Sequence, residues 1–190
     1  MFWIPIILIS LILCITSLSD AFTVRGSSNR YNLVGLSSKN KDVVLADDEP
    51  LSARFQRAVV LQRAGDHMGA LKEYETFIKA AESCDVDQEA FAEVHVNVGA
   101  INFKLKNMAE AKRNFQKALN FREMGSAHIN LALLALAEGK ASIDPSDGID
   151  ALRTAQIHCQ RVLQLNDDKA AVPMAEKLLR DIKIMLQSYS

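Results

Sequence analysis

Apolar and polar residues follow three different rhythms along this chain. Phe2 to Ile15 is continuously apolar apart from Pro5 and Ser10, while Phe22 to Glu49 is mostly polar and has no sustained period. From Leu51 onward apolar positions recur every three or four residues, the spacing of an α-helix that buries one face. Ala58, Leu61, Ala70, Tyr74 and Phe77 follow this spacing around a break at Gly65-Asp66. Gly99, Ala111, Phe115 and Ala118 follow it around a second break at Lys106-Asn107. No proline falls between Pro50 and Pro145, so the pattern predicts an all-α body of helix pairs joined by short turns.

The pairs repeat. Ala58, Gly99 and Ala132 are 41 and 33 residues apart, which brackets a 34-residue period. Ala58 to Ala70 and Gly99 to Ala111 both span 12 residues, and Tyr74 and Phe115 each follow four residues later. Small residues at such positions let two helices cross closely, with the aromatic filling the space beside the crossing. On these residues the body resembles the tetratricopeptide-repeat family. The resemblance implies antiparallel helix hairpins stacked as a right-handed solenoid, about three units long, over 51–168, with units near 51–84, 92–124 and 125–168. Arg54, His95 and His128 stand where that family usually has Trp. In the third unit Ser126 to Ala135 fits a first helix, Lys140 to Gly148 reads as an inserted loop, and Ala151, Ala155, Cys159, Val162 and Leu163 mark the second helix. Over 169–190, the stretch Pro173 to Gln187 separates Leu178, Leu179, Ile182, Met185 and Leu186 from charged residues, which predicts an amphipathic helix capping the stack.

The beginning of the chain reads as an address. The apolar run of roughly 14 residues is shorter than the roughly 20 of a membrane-spanning helix and ends at small residues, Ser19 and Ala21, so 1–21 is expected to be a signal peptide. Over 22–50, Arg25, Arg30, Lys39 and Lys41 come with serines before any acid, a transit-peptide composition. The order of these parts, with Phe22 directly after Ala21, resembles the bipartite leader of algae with complex red plastids. It implies plastid import and no stable membrane span once the leader is removed. A linker in a secreted or endoplasmic-reticulum scaffold is the alternative.

Charge narrows the chemistry. The net charge is −1, and from Leu51 onward 18 basic residues face 18 acidic ones, so no bulk basic surface exists to hold nucleic acid. A helical-repeat RNA binder is the disfavoured alternative, because Glu93 offsets Arg63 and Lys104. There is no phosphate-binding glycine loop, zinc-protease helix or nucleophile elbow, and three cysteines without paired spacing predict neither a zinc site nor a disulfide framework. His67, His95, His128 and His158 are scattered singly; His95 and His128 are expected as packing residues, Cys84 as an exposed thiol and Cys159 as a buried one. The chain is therefore expected to be no enzyme and to carry no cofactor.

The resemblance implies a binding groove instead, lined by first helices. Phe55, Val96 and Ile129 form one apolar row, Val59, Ala100 and Leu133 another, and the amides Gln56, Asn97 and Asn130 stand between them. Amides both donate and accept, so such a row suits the backbone of an extended peptide, with an amphipathic helix as the other occupant. The basic clamp with which chaperone-tail binders of the family hold a terminal carboxylate is missing: Phe55, Ser126 and Asn130 occupy its positions and only Asn97 matches. The expected partner is another protein, through an internal, mostly uncharged segment.

Overall fold

The computed structural model describes residues 50–82 and 88–189. The leader over 1–49 and the connection holding Cys84 lie outside the described residues. Within them, every regular element is an α-helix: α1 (Leu51–Ala64), α2 (His67–Ala81), α3 (Gln88–Lys104), α4 (Met108–Phe121), α5 (Gly125–Ala141), α6 (Pro145–Leu165) and α7 (Ala171–Gln187). Each odd-numbered helix up to α5 packs principally on the helix that follows it, giving three helical hairpins, and α7 lies on α6 and α5.

Local chemistry sets the turns. Gly65, at φ 85°, ends α1 in the left-handed conformation that glycine adopts without a Cβ penalty, and its N–H reaches the Gln62 carbonyl. Asp66 then caps α2 by accepting from the Gly69 N–H at 2.9 Å. The Asp168 carboxylate accepts from Ala170 N–H at 2.8 Å at the entrance to α7, and Pro173 sits inside the first turn, where its missing N–H leaves no bond unmade.

The small residues lie at the crossings. Ala58, Ala70, Ala111, Ala132 and Ala155 are fully buried. A Cβ on Gly99 would stand 2.6 Å from the Phe115 ring, so only glycine lets this aromatic lie against α3. Tyr74 and Phe115 are fully enclosed, and the Tyr74 hydroxyl donates to Gln62 Oε1 at 2.9 Å, which satisfies its one buried polar group. Cys159 occupies the corresponding place in the third hairpin and is equally enclosed.

That third hairpin corrects one expectation. Lys140 to Gly148 is not a loop: α5 runs on to Ala141 and α6 begins at Pro145, leaving Ser142 to Asp144 as the turn. Ala132 and Ala155 are 23 residues apart where the first two hairpins have 12, and the extra chain lengthens both arms on the turn side of the crossing. Asp144 caps α6 by accepting from Ser146 N–H at 2.8 Å, with Pro145 in the first turn. The lengthened arms touch closely, since a Cβ on Gly139 would lie 3.1 Å from the Gly148 carbonyl oxygen. The capping helix buries Ala171, Ala175, Leu178 and Ile182, while Leu179, Met185 and Leu186 are half-buried.

Candidate functional site

The first helices place the predicted rows in unequal surroundings. Phe55 is buried inside its own hairpin, with its ring 6.0 Å from those of both Tyr74 and Phe77. Val96 packs with Ala92, Ala118, Met124 and Ala127. Ala100 packs with Ala111, Phe115, Leu131 and Leu134, at the junction of the second and third hairpins. Ile129 and Leu133 are buried as well, on a helix that encloses residues on every side from Ala127 to Leu136. Only Val59 of the two apolar rows is half-buried. These positions therefore do not form an open apolar trough: side chains expected to receive a ligand are already packed, and three of them join core clusters.

The amide row is uneven too. Gln56 is exposed, Asn97 is 9% exposed, and Asn130 is half-buried with its Nδ2 donating to the Ser126 carbonyl 2.9 Å away on its own helix. Gln56, Val59 and Asn130 are thus the predicted residues that solvent, and hence a partner, reaches.

A second feature recurs through the hairpins and was not foreseen. Counting back four from the small residue of each first helix, and one from the aromatic or cysteine of each second, gives Arg54 with Glu73, His95 with Asn114, and His128 with His158. All three pairs meet. Arg54 Nη1 lies 3.7 Å from Glu73 Oε2, His95 Nδ1 lies 3.0 Å from Asn114 Oδ1, and His128 Nδ1 lies 2.9 Å from His158 Nδ1. Each first-helix member is buried; in the second and third hairpins the contact is a hydrogen bond that satisfies a polar group where water does not reach, while in the first Arg54 and Glu73 form an ion pair. The expectation that the histidines are isolated holds for neither member of the last pair.

Further bonds fix the orientation of each histidine. Asn114 Nδ2 donates to the Glu110 carbonyl and to Glu110 Oε1, at 2.9 and 3.1 Å, which turns its amide oxygen toward His95. An amide oxygen only accepts, so His95 carries its proton on Nδ1. Burial lowers the pKa of His95 below the ordinary histidine value, the Asn114 bond and Glu82 working against burial and Lys117 with it. On the other side, His128 Nε2 is 2.8 Å from Glu123 Oε1, and that oxygen also accepts from Arg161 Nε at 2.7 Å. Arg161 and His128, in that order, hold the Glu123 carboxyl below its usual range. His158 is lowered by burial first, then by the charges of His128 and Lys112, with Glu123 opposing.

Other chemistry is sparse. Burial pushes the Cys159 thiol up to about 12, so this sulfur is neither a nucleophile nor a thiolate ligand near neutral pH. Among the described residues no three His, Cys, Asp or Glu side chains converge on a possible metal position, and no helix is long and apolar enough to cross a membrane. No family model matches this chain, and no curated protein matches it by sequence.

Proposed function

We propose that the three hairpins are tetratricopeptide-like repeats stacked as a right-handed solenoid, capped by α7, and that the protein is a non-catalytic adaptor holding another protein against its first helices. The observation that carries the repeat reading is the recurring polar contact, Arg54–Glu73, His95–Asn114 and His128–His158, made at one register in every hairpin although the residues differ. Unrelated helix pairs have no reason to share that register, whereas units descended from one hairpin do. An adaptor role follows from what repeat stacks offer, an extended surface built of first helices. The reachable part of that surface is Gln56, Val59 and Asn130, which suits hydrogen bonding to the backbone of an extended peptide. The leader over 1–49 reads as plastid-directed, and on that reading the partner is a plastid protein.

One experiment tests the adaptor and its location together. The full chain with a C-terminal tag is expressed in an alga with a complex red plastid, and partners are recovered from purified plastids, beside the variant Gln56→Ala with Asn130→Ala. The wild type is expected to co-purify discrete proteins that the variant loses, while helicity by circular dichroism is unchanged. Partner recovery that the double substitution leaves intact places the interface elsewhere, and absence of the tagged chain from plastids removes the location.

A further inference from the structure

A cleft of about 520 Å³ lies where α2, α3 and α4 meet, and none of Gln56, Asn97 and Asn130 lines it. Leu71 and Ile78 on α2 and Val98 on α3 give it an apolar lining, and His95, Asn102 and Asn114 give it buried polar groups. Its volume falls within the range of roughly 300–1,000 Å³ common to binding pockets, and an apolar lining with a few fixed polar groups is their usual make-up.

His95 is the unusual member. It is only 6% exposed, its ring is stacked on Phe121 with an interplanar angle of 9°, and its Nδ1–H is committed to Asn114. Nε2 has no hydrogen-bond partner among the described residues, and with the proton fixed on Nδ1 it is an acceptor. Nε2 itself reaches the solvent of the cleft, so a donor entering from outside can meet it. Burial, by lowering the pKa of His95, keeps the ring neutral and Nε2 bare near neutral pH.

Charge at the cleft specifies the kind of donor. Among the described residues Glu75 and Glu82 line it without an ion pair, against the ammonium of Lys117, while the third glutamate, Glu110, is matched by Arg113 at 2.9 Å. The balance is acidic. A cation carrying several donors on a planar head, with an aliphatic stem for Leu71, Ile78 and Val98, fits acceptor, charge and lining together. Phe121 lines the same cleft with its ring stacked on those of Phe91 and His95, and a planar guanidinium suits such an aromatic stack better than an ammonium does.

We propose that this cleft binds an arginine side chain presented by a partner protein, the guanidinium donating to His95 Nε2 with Glu75 and Glu82 as its countercharge. The site is formed by α2, α3 and α4 alone, so it is independent of whether the amide row engages a peptide. It gives the protein a second, charge-selective contact on different residues.

The test is a titration of the full chain with a fluorescein-labelled peptide, Gly-Gly-Arg-Gly-Gly, followed by anisotropy. The matched peptide with citrulline in place of arginine serves as control, and unlabelled free arginine amide as competitor. Arginine peptide is expected to bind at least about tenfold more tightly than citrulline peptide, because a charge-assisted bond is replaced by a neutral one. Glu75→Gln with Glu82→Gln alters only exposed side chains and is expected to weaken binding about three- to tenfold, with less loss at high salt. His95→Phe keeps an aromatic ring but removes Nε2, and in folded protein is expected to weaken binding about tenfold. Equal affinity for arginine and citrulline peptides overturns the proposal. So does a double glutamine variant that binds as the wild type does, and free arginine amide competing as well as the peptide makes the site one for a small molecule instead.

Discussion

The second and third hairpins put a histidine in the same slot of the first helix and answer it with different partners. In the second, His95 meets the amide of Asn114, which Glu110 holds in one orientation, so the proton stays on Nδ1. In the third, His128 meets another imidazole, and Glu123 engages its far nitrogen. A carboxylate at Nε2 fixes that proton on His128, which leaves its Nδ1 to accept from His158. Protonation of His158 at its other nitrogen adds a positive charge beside a ring already tied to a carboxylate. The comparison separates two properties that the slot's position alone does not: both contacts satisfy a buried polar group, and only one joins two imidazoles.

The apolar half of the comparison is the easier to break, and the expected effect is the largest. Phe115 and Cys159 hold equivalent, fully enclosed places beside the crossing. Phe115→Ala is expected to cost about 3–5 kcal/mol in urea denaturation, and Cys159→Ala about 1–2 kcal/mol, because far less volume is removed. Equal losses would show that the third hairpin does not depend on the crossing as the second does.

The polar half predicts a response to acid. His95 and His158 both bind protons less readily in the folded chain than an ordinary histidine does. Unfolding therefore takes up protons, so stability is complete above about pH 6.5 and declines as pH falls through that value toward the folded pKa. Thermal melts between pH 7.5 and 5 are expected to show the decline, and His158→Gln to flatten it by removing one of these two groups. An unchanged slope in that variant would assign the whole response to His95 or to other groups. Smallest is the outer end of the same chain of contacts: Glu123→Gln, at a side chain 44% exposed, is expected to cost about 0.2–1 kcal/mol at low salt and less at high salt.

Helix positions were legible in the sequence because apolar spacing reports them directly, as at Ala58, Ala70 and Tyr74. Accessibility was not legible to the same degree. Ile129 and Leu133 fall on the expected face of α5, but that helix is apolar around most of its circumference, and a periodic pattern cannot say which side of such a helix stays open. The third hairpin was misread because Pro145 and Asp147-Gly148 have loop composition; Asp144 before Pro145 is equally a helix start, and the cap bond to Ser146 decides it. The polar pairs were within reach of the sequence. Arg54, His95 and His128 stood out as replacements for the usual Trp, and stepping one residue back from Tyr74, Phe115 and Cys159 gives Glu73, Asn114 and His158. What sequence spacing lacked was a reason to pair those two positions, which the closeness of Gly99 to the Phe115 ring supplies.

The lengthened third hairpin has a bearing on how such a chain tolerates change. Its additional residues were taken up by both arms, and the His128–His158 contact keeps the register of the shorter hairpins. Growth at the tip is thus decoupled from the crossing: the arms extend, the turn moves outward, and Ile143 at its centre ends fully exposed. The tip of this hairpin is accordingly the natural place to graft a foreign loop or a reporter without disturbing the neighbouring units.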